Sequence, residues 1–151
     1  MKNIIKNSML ILIGTFGMIS CSSDDDSIDT QKPMIILNQP LDETEFHFGE
    51  NLHIEAEFSD NVGLASYKIE IHSAGDGHTH KTLVGTEWFH TETHPIAGNP
   101  THYIAQREIL IPSEISGEPV LEGHYHLGIY LVDTSGNEQQ LFVEVDIHEA
   151  H

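Results

Sequence analysis

From Gly123 to Asp133 apolar residues recur at every second position: Tyr125, Leu127, Ile129 and Leu131. That is the period of a β-strand with one buried face, so this stretch commits the chain to a sheet with at least one packed side. The opposite face then carries His124, His126, Gly128 and Tyr130. Two residues of strand rise are about 6.6 Å, near enough for two imidazoles to turn toward one ion. A single central strand therefore holds both a core stripe and candidate chemistry.

Other stretches repeat the pattern. Met34 to Leu37 reads as a short first strand. Leu52, Ile54, Ala56 and Phe58 give a second, and Ala65, Tyr67, Ile69 and Ile71 a third whose outward residues include Glu70 and His72. Thr82 to His90 is an expected fourth strand of unclear phase, and Tyr103 to Ile111 a fifth. Leu141, Val143, Val145 and Ile147 form a seventh after the Gly123–Asp133 strand. Thr91 to Thr101, with two prolines and a glycine, is expected to be irregular, and Pro112 to Gly123 to cross over through a single helical turn. No segment has a convincing helical period. Seven short strands separated by turn residues predict an all-β, immunoglobulin-like β-sandwich.

The N-terminus is a different kind of segment. Lys2 and Lys6 precede an apolar run from Met9 to Ile19, which is a signal sequence and too short for a membrane span. Met18-Ile-Ser-Cys21 resembles a bacterial lipobox, which implies cleavage before Cys21 and lipid attached to it. Cys21 is the one cysteine, so no intramolecular disulfide can form. Acyl chains contribute about 0.8 kcal/mol per buried methylene and would anchor the protein without a spanning helix. Residues 21–32 are polar and acidic, the composition of a disordered tether. The run Ser22-Ser-Asp-Asp-Asp26 also resembles the surface-export signal of Bacteroidetes lipoproteins, which implies the outer face of the outer membrane. Residues 33–151 remain for one domain.

Charge narrows the partners. The chain has a formal charge of −18, and losing Lys2 and Lys6 with the leader takes it to −20. Such a surface repels the phosphate backbone, so nucleic acid is not an expected partner, whereas cations are favoured. The chain also holds 12 histidines.

The turns Asp60-Asn-Val-Gly-Leu64 and Val132-Asp-Thr-Ser-Gly-Asn137 look like those of bacterial immunoglobulin-like and cadherin-like modules. With the lipobox, the loop Ser73 to His80 and Gly123-His-Tyr-His126, the chain resembles a family of Bacteroidetes lipoproteins catalogued as domain of unknown function 4625. The resemblance implies the fold and an envelope location.

In a sandwich with the third, sixth and seventh strands in one sheet, His72 lies beside His124 and His126, and the loop with His78 and His80 leaves from the same end. His148 and His151 finish there too. His90, His94 and His102 are expected at the other end, with Asp60 and Asp133. His72, His78, His80, His124 and His126 are the expected ligands of a divalent transition metal, with Glu70 as a further acid. Imidazole suits zinc and copper alike, and a thiolate site is excluded because Cys21 is lipidated. An ordinary imidazole, with a pKa of about 6.5, is mostly neutral at pH 7 and ready to bind. Asp60, Asn61 and Asp133 would offer oxygen ligands to calcium, although Asp and Asn in such loops ordinarily form turns.

No Gly-x-Ser-x-Gly, His-Glu-x-x-His or phosphate loop is present, and an enzyme is not expected. A three-ligand metal activating water is the one hydrolytic alternative. The expectation is a surface lipoprotein that captures or delivers zinc or copper, with an outer-membrane transporter as the partner that the lipoprotein class suggests. The alternative is an adhesion module binding protein or glycan, for which Trp88, Phe89, Tyr103, Tyr130 and Phe142 would be the aromatic candidates.

Overall fold

The computed structural model describes residues 28–75 and 85–150. The signal sequence, Cys21, most of the tether, the loop with His78 and His80, and His151 lie outside the described residues. Among the described residues ten strands follow in chain order: β1 Met34–Gln39, β2 Thr44–His47, β3 Asn51–Ser59, β4 Leu64–Ser73, β5 Phe89–Pro95, β6 His102–Leu110, β7 Glu114–Ile115, β8 Glu118–Pro119, β9 Gly123–Asp133 and β10 Glu138–His148. Among the described residues there is no helix.

Two sheets make the body. One has the order β1-β3-β6 and the other β2-β10-β9-β4-β5. Neighbours are antiparallel except β2, which runs parallel to β10. A first strand split between the two sheets, with β9 central in the larger one, is the connectivity of an immunoglobulin-like sandwich. The inward residues of both sheets form one core, including Leu52, Ile54 and Phe58 from β3, Ile69 and Ile71 from β4, and Leu127, Ile129 and Leu131 from β9. Burying each such side chain contributes roughly 1.5–3 kcal/mol. Both central strands are therefore fixed in phase, because a one-residue slip would turn these side chains into water.

Three segments differ from the expectation. The strand expected over Thr82 to His90 begins, among the described residues, at Phe89 and continues through Thr91-Glu-Thr-His-Pro95, where irregular chain is expected, while residues 82–84 lie outside the described residues. Its inward residues are His90, Glu92 and His94, so the hydrophobic alternation that marks a strand is absent although the geometry is that of one. Pro95 ends an edge strand, where a missing donor costs little. The crossover after Pro112 has no helical turn. It is the β7–β8 hairpin, whose two central residues Ser116 and Gly117 have φ of 56° and 86°, the signs a tight two-residue turn demands. Finally β2, four residues at a sheet edge, was not expected. It is too short for its alternation to stand out, though Phe46 reaches the core.

Candidate metal-binding sites

The outer face of the larger sheet collects the imidazoles. β4 and β9 pair antiparallel with His72 opposite His126, and their rings are 5.3 Å apart, edge to face. β10 lies on the other side of β9 and places Glu144 opposite His126 and Asp146 opposite His124. His124 Nδ1 is 3.0 Å from Glu144 Oε1 and 2.5 Å from Asp146 Oδ1, and His126 Nε2 is 3.8 Å from Glu144 Oε2. Neither carboxylate contact of His124 is aligned as a hydrogen bond. Carboxylates against Nδ1 favour the Nδ1–H tautomer, in which Nε2 is the free donor to a metal. His72 reaches the same state by another route, since its Nδ1 is 2.9 Å from the Ser73 carbonyl, which can only accept.

Of the five expected ligands, the structure brings together His72, His124 and His126, and His78 and His80 lie outside the described residues. Glu70 is committed elsewhere. Its carboxylate accepts from Lys68 Nζ at 2.7 Å, and that hydrogen bond is the main reason its carboxyl is held below the ordinary range. The carboxylates that do accompany the histidines, Glu144 and Asp146, were missed. The signal was available: a hairpin centred on Ser135 pairs residues equidistant from it, so 144 falls opposite 126 and 146 opposite 124. The three imidazole donors do not yet converge. These are surface side chains, and rotation about χ1 and χ2 is what would bring them onto one ion.

A second group faces inward between the edge strands β5 and β6. Glu92 receives two hydrogen bonds from Arg107, at 2.9 and 3.1 Å, and lies 3.1 Å from His94 Nε2 and 3.7 Å from His90 Nε2. The Arg107 guanidinium is the largest cause holding the Glu92 carboxyl down at about 2, against the opposing effect of burial. The pair closes the open side of the core. His90 does not sit at the Asp60 end as expected: it pairs with Ile71, beside His72, with its ring on the other face of the sheet. His102 does lie opposite Ser59, at the Asp60 end.

At that end three carboxylates meet. Asp29 precedes β1, Asp60 follows β3, and Asp133 closes β9; one oxygen from each lies within 4.8 Å of the other two. Among the described residues it is the one group of three or more His, Cys, Asp or Glu with donors so close. The backbone sets it. Asp60 Oδ1 accepts from the N–H of Val62 and Gly63, and Asp133 Oδ1 from those of Ser135 and Asn137. Asn61 Nδ2 donates to Asp29 Oδ1, and Asn137 Nδ2 to both the Asp29 carbonyl and Asp133 Oδ2. Burial works to raise the Asp133 carboxyl, but the Asn137 side chain and the amides of Asn137, Ser135 and Gly136 outweigh it and hold it below the ordinary range. Like charges this close repel by on the order of 3 kcal/mol per pair at an effective dielectric near 20.

A family model for Domain of unknown function (DUF4625) matches residues 19–148. The chain belongs to that family. No curated protein is detectably similar to this DUF4625 chain in sequence. Among solved structures it is similar to fibronectin(III)-like modules of CbhA from Clostridium thermocellum, at 20% identity over 76% of this chain and 94% of that one, with a TM-score of 0.42. It is also similar to Spo0M, a sporulation control protein from Bacillus subtilis, at 13% identity over 80% of this chain and 49% of that one, with a TM-score of 0.42. A β-glucosidase from Listeria innocua, in complex with isofagomine, is similar at 12% identity over 80% of this chain and 17% of that one, with a TM-score of 0.44. The DUF4625 chain thus spans about half of Spo0M and about a sixth of the glucosidase.

Proposed function

We propose that this DUF4625 protein is a lipid-anchored module of the cell envelope that binds a zinc or copper ion on the outer face of its larger sheet. The observation that carries this reading is the register of β4, β9 and β10, which gathers His72, His124 and His126 on one face with Glu144 and Asp146 beside them. Three imidazoles suit a divalent transition metal, and a fourth position is left for water or for His78 or His80 of the neighbouring loop. Glu144 and Asp146 orient the rings and supply negative charge.

In this reading Cys21, behind Met18-Ile-Ser20, is the anchor, and the acidic residues after it support a position at the surface of the outer membrane. The chain enters the sandwich at the Asp60 end. His72 is eight residues along β4 from Leu64, about 26 Å away, so the histidine face points away from the membrane. Capture of an ion and its delivery to an outer-membrane transporter fit that orientation.

The test is a titration of untagged residues 22–151 with zinc and copper separately, against a competing chelator, at pH 7.5 and 5.5. One ion per chain with submicromolar affinity, weaker at the lower pH as imidazoles protonate, is expected. The double substitution His124→Ala and His126→Ala is expected to weaken binding by about a hundredfold or more. Unchanged affinity in that variant removes the assignment.

One observation favours the adhesion reading. Ile36 and Ile104, 50% and 63% exposed, flank Glu57 on the outer face of the smaller sheet and line a groove of 330 Å³. Tyr103 lines the same groove while packing partly against the core, whereas Trp88 does not contribute, since it is buried on Tyr125. Phe89 and Phe142 are exposed. Indefinite metal stoichiometry together with binding of a protein or glycan that Ile104→Asp abolishes would favour this second reading.

A further inference from the structure

Buried carboxylate oxygens are hydrogen-bonded or bound to a cation, because an ionised group in a poorly solvated place is otherwise costly. At the Asp29, Asp60 and Asp133 pole that rule is left open twice. Asp60 is 9% exposed, and while its Oδ1 takes two backbone amides, its Oδ2 is shielded from solvent and has no hydrogen-bond partner. Asp29 Oδ2 is likewise shielded and unpartnered. Among the described residues no lysine, arginine or histidine forms an ion pair with any of the three carboxylates. Lys68 is taken by Glu70 and Arg107 by Glu92. Two shielded oxygens without a donor, in a group of three negative charges, describe a cation site rather than a turn that happens to use aspartates.

We infer that Asp29, Asp60 and Asp133 form a calcium site. The ligands are all oxygens, which selects a hard cation over zinc or copper. Three oxygens within 4.8 Å of one another need close by no more than about 0.4 Å to reach one ion at about 2.4 Å, the usual calcium distance, whereas magnesium draws its ligands closer still and keeps more of its water. The consequence lies in Asp29. It belongs to the segment that leads from Cys21 and the acidic tether into β1, whereas Asp60 and Asp133 belong to the sandwich. An ion shared by the three fastens the end of the tether to the domain and fixes the direction in which the domain leaves the membrane. Calcium therefore acts on the orientation of the module and is independent of the histidine face at the other end.

The experiment uses the full, untagged chain. Calcium is titrated calorimetrically, and thermal unfolding is compared in EGTA and in 1 mM calcium, for the wild type, Asp29→Asn and Asp60→Asn. Both substitutions keep an oxygen for the existing amide hydrogen bonds, so the variants are expected to unfold within about 2 °C of the wild type in EGTA. The wild type is expected to bind one calcium with a Kd of about 0.1 mM or below and to gain about 4–8 °C. Each variant is expected to lose at least about tenfold in calcium affinity, with zinc affinity unchanged. No binding by the wild type at 1 mM overturns the site, as does wild-type affinity in both variants, which would mark diffuse attraction to an acidic surface. Binding lost in Asp60→Asn but kept in Asp29→Asn overturns the fastening of the tether. An equal thermal shift with 1 mM magnesium overturns the assignment to calcium.

Discussion

At the end of the sandwich where β3 and β9 finish, polar groups are held by backbone; at the end where β9 begins, they stand free on side chains. Asp60 and Asp133 are each fixed by two amide donors, and Thr134 N–H donates to Gly63 O between the two loops at 2.8 Å. His124 and His126, by contrast, are 45% and 41% exposed, and the groups beside their rings are the side chains of Glu144, Asp146 and His72. A backbone-built pole is ordered before any ligand arrives, whereas a side-chain cluster must be ordered by the ligand. That difference suits a structural ion at the first end and an exchangeable one at the second.

The strongest way to break the contrast is Gly63→Ala. A Cβ at that position would lie 2.7 Å from the Asn99 carbonyl oxygen, a backbone atom, and 3.4 Å from the Thr134 side chain. The loop would have to move, and with it the amides that hold Asp60. A loss of about 2 kcal/mol is expected, read as a fall of about 8 °C in unfolding temperature, together with loss of the calcium response. An unchanged unfolding temperature would show that the loop yields easily and that the pole is not rigid.

The same contrast explains what could be read from the chain. β3, β9 and β10 are legible because each alternates strictly, and β4 alternates from Tyr67 onward, although a register shift at its start buries Leu64 in place of the expected Ala65. Their order in the sheet puts His72 beside His126. β5 is not, because its inward positions are His90, Glu92 and His94, and a strand whose buried side is polar leaves no hydrophobic period. The carboxylate pole was half legible. Asp60 and Asp133 sit in recognisable turns, but Asp29 lies 31 residues before Asp60 in a segment that reads as tether, and nothing local announces that it folds back. Glu144 and Asp146 were hidden differently: they are ordinary outward residues of a strand, and only the hairpin register gives them their neighbours.

Glu92→Gln tests whether the polar filling of β5 behaves as structure. The substitution leaves Arg107 partly buried without its charge partner, and a loss of about 1–2 kcal/mol at pH 7 is expected by chemical denaturation. The pH dependence has a definite sign. The Glu92 carboxyl titrates at about 2 in the folded chain against an ordinary value of 4.5, so it contributes stability that is complete above 4.5 and is lost as pH falls toward 2. The difference between wild type and variant should therefore shrink between pH 4.5 and 2. A difference that is the same at pH 3 and pH 7 would mean that shape, not charge, holds the two edge strands together.

The smallest effect is expected from Gly128→Ala, and it is the most informative beside Gly63→Ala because the local crowding is the same. A Cβ on Gly128 would lie 2.7 Å from Cε1 of Phe142, as close as the Gly63 methyl would lie to Asn99 O. Here the obstacle is a ring that is half exposed and edge-on to Tyr130 at 5.5 Å, with open solvent to swing into. Alanine also gives up less conformational freedom on folding than glycine does, which offsets part of the crowding. A change of less than about 0.5 kcal/mol in stability is expected, with zinc affinity altered less than about threefold, since His126 rotates independently of its neighbour. If Gly128→Ala instead costs as much as Gly63→Ala, the outer face is as stiff as the carboxylate pole. Its imidazoles would then be unable to turn onto an ion, and the histidine cluster would have to bind in the spread arrangement it already has.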